Sequence, residues 1–127
     1  MYNSGSENKV FDIRERTFNF GVRVVKLVMS LPRNSAGIAI GNQLIRCGTS
    51  IGANTEEAQN AGSRKEFIYG LTVALKEARE TEYWLRMIAE VGIISKSRLE
   101  VLLEENQEII KILTSIIKRT KGNSPKR

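Results

Sequence analysis

Three acidic side chains, Glu57, Glu77 and Glu80, fall on what read as the two middle helices and are the first candidates for chemistry. Inward-facing carboxylates hold di-iron sites in helical bundles, but there histidines from Glu-x-x-His pairs complete the ligand set. This sequence has no histidine. That also removes Ser-His-Asp and Cys-His nucleophiles and nearly every zinc site. An all-carboxylate magnesium or manganese site stays open on paper. Ion pairing with Arg79, Arg86 or a basic residue of another helix is the simpler role. The single cysteine, Cys47, lies mid-helix with no base to activate it and reads as a small core residue. Thr49 and Ser50 likewise lack a base. Tyr83 and Trp84 could stack on nucleic-acid bases, although at helical spacing Trp84 reads as a packing anchor and Tyr83 as a rim residue. The chain therefore reads as non-enzymatic, with no cofactor and no metal.

The remaining chemistry is charge. Twenty basic against 14 acidic residues give a net +6, and the excess is unevenly placed. Residues 110–127 carry Lys111, Lys118, Arg119, Lys121, Lys126 and Arg127 with no acid, while residues 16–55 carry Arg16, Arg23, Lys26, Arg33 and Arg46, again with no acid. Polarised basic charge favours polyanions, nucleic acid above all. The alternative is a solvated tail with cations that suit helix C-termini. The candidate phosphate-binding residues are Arg16, Arg23, Lys26, Arg46, Lys118, Arg119 and Lys121.

The elements that would position these groups are helical. The chain has 127 residues, 41% of them hydrophobic and 6% aromatic, with two prolines. That is enough for one self-sufficient core and suits helices better than a sandwich or barrel. One cysteine excludes an internal disulfide and suits a reducing cytoplasm. No apolar run approaches the roughly 18 residues of a membrane span, and the polar start does not resemble a signal peptide.

The helical period predicts a first helix from Ile13 to Leu31, stopped by Pro32, and a second from Ser35 to Gly62. Capping boxes at Ser63–Glu66 and Ser97–Glu100 start the third and fourth, with Gly92 closing the third in the left-handed conformation and Gly122 stopping the fourth. Short connections make neighbours antiparallel. The expected architecture is all-α, an up-down-up-down four-helix bundle over residues 13–121, with an N-terminal arm (1–12) and a basic tail (122–127).

Phe67, Leu71, Ala74, Ala78, Thr81, Leu85 and Ile88 form a heptad seam on the third helix. Leu99, Leu102, Asn106, Ile109, Leu113 and Ile116 form one on the fourth, with Asn106 either a buried register-setting amide or a rim residue. Gly37, Gly41, Gly48 and Gly52 lie inside the second helix, each at a cost of about 1 kcal/mol against alanine. Their spacing by four puts each pair on one face, which fits close packing of a neighbouring helix.

The first helix carries two apolar stripes about 160° apart at 100° per residue. Phe18, Val22, Val25 and Met29 are taken as the core face. Phe20, Val24, Leu27 and Leu31 are then spare, and oligomerisation is the economical way to cover them. The alternative is that the N-terminal arm, with Tyr2, Val10, Phe11 and Ile13, folds back over them.

The run Ser50-Ile51-Gly52-Ala53-Asn54-Thr55-Glu56-Glu57-Ala58, followed by Ser63-Arg64-Lys65-Glu66-Phe67-Ile68 and Lys76-Glu77-Ala78-Arg79-Glu80-Thr81-Glu82-Tyr83-Trp84-Leu85, resembles the bacterial 23S rRNA intervening-sequence family. The opening Phe11-Asp12-Ile13-Arg14-Glu15-Arg16-Thr17-Phe18 also resembles that family's first helix. The likeness spans roughly residues 10–120. It implies a four-helix bundle assembled as a ring-like homopentamer. The family also includes the accessory variability-determinant proteins of diversity-generating retroelements, which bind nucleic acid and work with a reverse transcriptase. The resemblance thus implies RNA or an RNA–DNA hybrid and a reverse transcriptase as partners, or else a protein-interaction adaptor that does not touch nucleic acid. The family's polar residues map onto Asn54, Glu57, Glu77 and Glu80, which read as structural bridges between helices.

Overall fold

In a computed structural model of the chain, the described residues are 7–122, with side chains from residue 13 onward. They form four helices: α1 (Glu7–Met29), α2 (Ser35–Ala58), α3 (Arg64–Val91) and α4 (Lys96–Gly122). Each packs on the next, and α1 closes the square by touching α4 more sparsely. The expected arm overlaps the start of α1, because helix begins at Glu7 and not Ile13. The residues beyond Gly122, with Lys126 and Arg127, lie outside the described part.

Local chemistry sets the ends. Asn34 caps α2, its Oδ1 accepting the Gly37 amide at 2.8 Å. Ser63 caps α3 by accepting from the Glu66 amide at 3.1 Å, and Glu66 returns a bond to the Gly62 amide at 2.9 Å, one residue before the reciprocal partner of a standard capping box. Gly92 ends α3 with φ 85°, a left-handed conformation that costs glycine no Cβ clash. The expected box at Ser97 is not the cap of α4. The helix starts at Lys96, and the Ser95 carbonyl already accepts from the Leu99 amide at 3.2 Å.

Both heptad seams are buried throughout. Asn106 is fully enclosed: its Nδ2 donates to the Ala78 carbonyl at 2.8 Å, while its Oδ1 meets no donor among the described residues. The bond ties α4 to α3 at one register.

The first helix is rotated relative to expectation. Phe20, Val24, Leu27 and Leu31, taken as the oligomer interface, are 1%, 0%, 4% and 7% exposed and belong to the core of the single chain. Phe18 and Met29, taken as core, are 69% and 79% exposed. The glycines of α2 decide between the stripes. A Cβ on Gly48 would sit 2.7 Å from Val24 Cγ1, one on Gly41 would sit 3.3 Å from Val28, and one on Gly52 would sit 3.1 Å from the Thr17 carbonyl. Val24 thus occupies the space that a side chain at residue 48 would need, which fixes α1 with the Phe20 stripe inward. The close helix packing expected from the glycines is what turns the spare stripe into the Phe18 one.

Candidate nucleic-acid interface

The seven expected phosphate-binding cations do not form one surface. Arg16 reaches from α1 to α4 and donates twice to Glu105, Nε to Oε2 at 3.0 Å and Nη2 to Oε1 at 2.8 Å, a part-buried bidentate pair. Arg46 bridges α2 to α3, pairing with Glu80 and, at 3.4 Å, with Glu77. The charges of both are met by carboxylates of a neighbouring helix. Arg23 lines a shallow groove between α1 and α4 together with Glu104, Glu105 and Glu108. Lys26 is exposed in the last turn of α1.

Lys118, Arg119 and Lys121 are exposed near the end of α4, and Lys111, Lys118 and Arg119 edge a surface hollow there with Thr114 and Ser115. The Arg16–Glu105 pair fixes the antiparallel register of α1 and α4. Lys118 lies 13 residues past Glu105, and Arg23 lies seven residues past Arg16 in the opposite direction. At 1.5 Å per residue, the two groups of cations stand about 30 Å apart along the bundle.

The register fixed by Asn106 and Ala78 sets Lys65, in the first turn of α3, level with Arg119. Arg64 shares that turn. Residue types and helix ends could have shown this: the Ser63 start and the short turn before α4 place the beginning of α3 beside the end of α4. The charge count over residues 110–127 includes Lys111 but leaves it out of the phosphate-binding set, and Lys65 is missed as a neighbour of these cations.

The polar residues of the middle helices behave unequally. Glu80 accepts from Arg46 and from the Trp84 indole Nε1 at 3.2 Å, and these bonds hold its carboxyl below the usual carboxylate range. Asn54 does not bridge helices; its Nδ2 donates to the Ser50 carbonyl of its own helix at 2.8 Å. Glu57 is exposed at the end of α2. Arg14 pairs with Glu56, which lowers the Glu56 carboxyl and raises the guanidinium. Tyr83 stands edge-on to Trp84, ring centroids 5.0 Å apart, with Tyr83 at the rim and Trp84 half-buried. Cys47 is fully enclosed, and burial pushes its thiol up. Among the described residues, no three metal-ligating side chains converge and no helix is long and apolar enough to cross a membrane.

The profile of the 23S rRNA-intervening sequence proteins matches residues 9–115. The chain belongs to this family. It is also similar to a crystal structure of a protein of unknown function from the S23 ribosomal protein family of Bacteroides thetaiotaomicron, with 41% sequence identity and a TM-score of 0.82. That match covers 87% of this chain and 98% of the other. No functionally curated protein matches the chain.

Proposed function

We propose that this family member is a non-enzymatic homo-oligomer that binds RNA or an RNA–DNA hybrid through the sugar–phosphate backbone. The observation that carries the reading is the segregation of charge. The carboxylates of α4 end at Glu108, and the stretch beyond them is wholly basic and exposed at Lys111, Lys118, Arg119 and Lys121. Such a surface attracts phosphates by counterion release and carries no base-reading motif, so binding is weakly sequence-specific.

The oligomer rests on the outward stripe of α1. Phe18 and Met29 are too exposed to contribute to the core of one chain, and Val22 lies beside them. Phe18 and Val22, with Gly21, Thr49 and Gly52, edge a groove between α1 and α2 whose floor is made of small residues. A second copy covers this face, and five copies in a ring is the count the family resemblance supplies. The same resemblance makes a reverse transcriptase the candidate enzyme partner, with this protein presenting the template.

The exposed stripe equally favours a second reading, an adaptor whose apolar face holds another protein while its charge aids solubility. Purified protein titrated against labelled structured RNA, duplex DNA and RNA–DNA hybrid at low salt separates the two. Micromolar or tighter binding supports the first reading, and no binding to any of the three moves the assignment to the adaptor.

A further inference from the structure

At three helix–helix grooves, the basic side chains named here stand against carboxylates. Between α1 and α4, Arg16 and Arg23 face Glu104, Glu105 and Glu108. Between α2 and α3, Arg46 faces Glu77 and Glu80. Between α1 and α2, Arg14 faces Glu56. These sides of the bundle are close to neutral or acidic.

One end differs. The first turn of α3 and the last turns of α4 run antiparallel and side by side, which gathers Lys65, Lys118, Arg119 and Lys121, with Lys111 one to two turns further along α4. Among the described side chains, the acids at this end are Glu56, which Arg14 meets, Glu57 and Glu66, and Glu108 stands one turn before Lys111. Glu66 is committed to the Gly62 amide at 2.9 Å. The balance stays strongly positive, and the amides at the start of α3 add the positive end of its dipole.

From this charge balance we infer that the phosphate-binding surface is this end of the bundle, built from Lys65 of α3 and Lys111, Lys118, Arg119 and Lys121 of α4, and not the opposite end with Arg23 and Lys26 of α1. The inference rests on the nucleic-acid reading above and locates it. The α4 cations from Lys111 to Lys121 span about 15 Å at 1.5 Å per residue. A nucleic-acid strand places a phosphate about every 3.4 Å of helix axis, so some four phosphates fall within reach of one chain. Lys65 approaches them from a second helix, about 8–10 Å away at usual packing distances. The ammonium groups act as point charges on flexible stems, which suits a backbone track and gives no base discrimination. In an oligomer, each chain contributes one such end, and a strand is held wherever these ends face the same way.

The test compares two double variants with the wild type on one labelled RNA–DNA hybrid between about 50 and 200 mM salt, a range over which phosphate contacts weaken steeply. Lys118→Gln/Lys121→Gln removes two charges from the end, and Arg23→Gln/Lys26→Gln removes two from α1. All four side chains are exposed, and unchanged circular dichroism and native mass confirm that each variant keeps its fold and assembly. The end variant is expected to bind at least tenfold more weakly at low salt, with a log–log salt slope shallower by about two, while the α1 variant stays within about twofold of wild type. Equal or greater loss in the α1 variant overturns the location and leaves the nucleic-acid reading standing. A wild type that binds neither the hybrid nor structured RNA nor duplex DNA at low salt overturns both.

Discussion

At the residue scale, two of the three carboxylates that invite a catalytic reading, Glu77 and Glu80, tie α3 to α2. Glu80 shows this most clearly, fixed by Arg46 from one side and Trp84 from the other. Its carboxyl and that of Glu56 are lowered in the folded chain by these bonds. A lowered folded pKa means that the ionised form favours folding: the contribution is whole above the unfolded value of about 4.3 and is lost as pH falls through the folded value below it. Thermal melts should therefore drop as pH falls below about 4.3, and Glu80→Gln should lower the neutral-pH melting point slightly and flatten that acid decline. An unaltered pH profile in Glu80→Gln would contradict the assignment. Asn106 makes the opposite trade. Its enclosed Oδ1 meets no donor among the described residues, so Asn106→Leu should change stability by no more than about 1 kcal/mol, and any cost should appear as looser helix register. Denaturant unfolding with amide exchange measures both.

At the element scale, the two seams of α3 and α4 were fully legible, because each helix offers only one apolar face. The first helix was not. Its two stripes are equally apolar over residues 18–31, and hydrophobicity alone cannot rank them. Two signals could have done so. The Phe20 stripe continues backward through Thr17 to Ile13 in unbroken heptad steps, whereas the Phe18 stripe runs into Arg14 and Glu15. The second signal is the glycine row of α2, which requires a β-branched or larger partner seated against it; Val24 over Gly48 is that partner. Gly48→Ala should destabilise by about 1–3 kcal/mol, since the new methyl overpacks Val24. Gly21 faces the same interface, but a Cβ there would meet nothing nearer than 3.8 Å. Gly21→Ala should therefore stabilise by up to about 1 kcal/mol through helix propensity. Chemical denaturation of both variants checks the pair, and the same sign for both would contradict the glycine seat.

The element scale also explains why the candidate site was only half visible. Arg16 and Arg46 look available in a linear charge count because no acid lies between residues 16 and 55. Their carboxylate partners are 89 residues away for Arg16 and 31 and 34 residues away for Arg46. Lys65 was overlooked for the converse reason: it is remote from the α4 cations in sequence and level with them only once α3 and α4 pair.

At the scale of the whole molecule, the bundle leaves two surfaces that its own core does not explain: the outward apolar stripe of α1 and the basic end of α3 and α4. We propose that the first mediates assembly. Phe18→Asp should keep the helical content and convert the oligomer to folded monomer, whereas Leu27→Asp and Leu85→Asp should unfold the chain by burying a charge in the core. Native mass together with circular dichroism distinguishes these outcomes, and an unchanged mass in Phe18→Asp would refute the interface. The second surface is assigned to phosphate. Backbone-led recognition by several lysines and arginines has a signature that neither solubility nor protein docking shares, a steep linear fall of log affinity with log salt. The most direct test is the wild-type affinity for a labelled RNA–DNA hybrid across a salt series. The account predicts a loss of orders of magnitude between about 50 and 200 mM, and a flat response would contradict it.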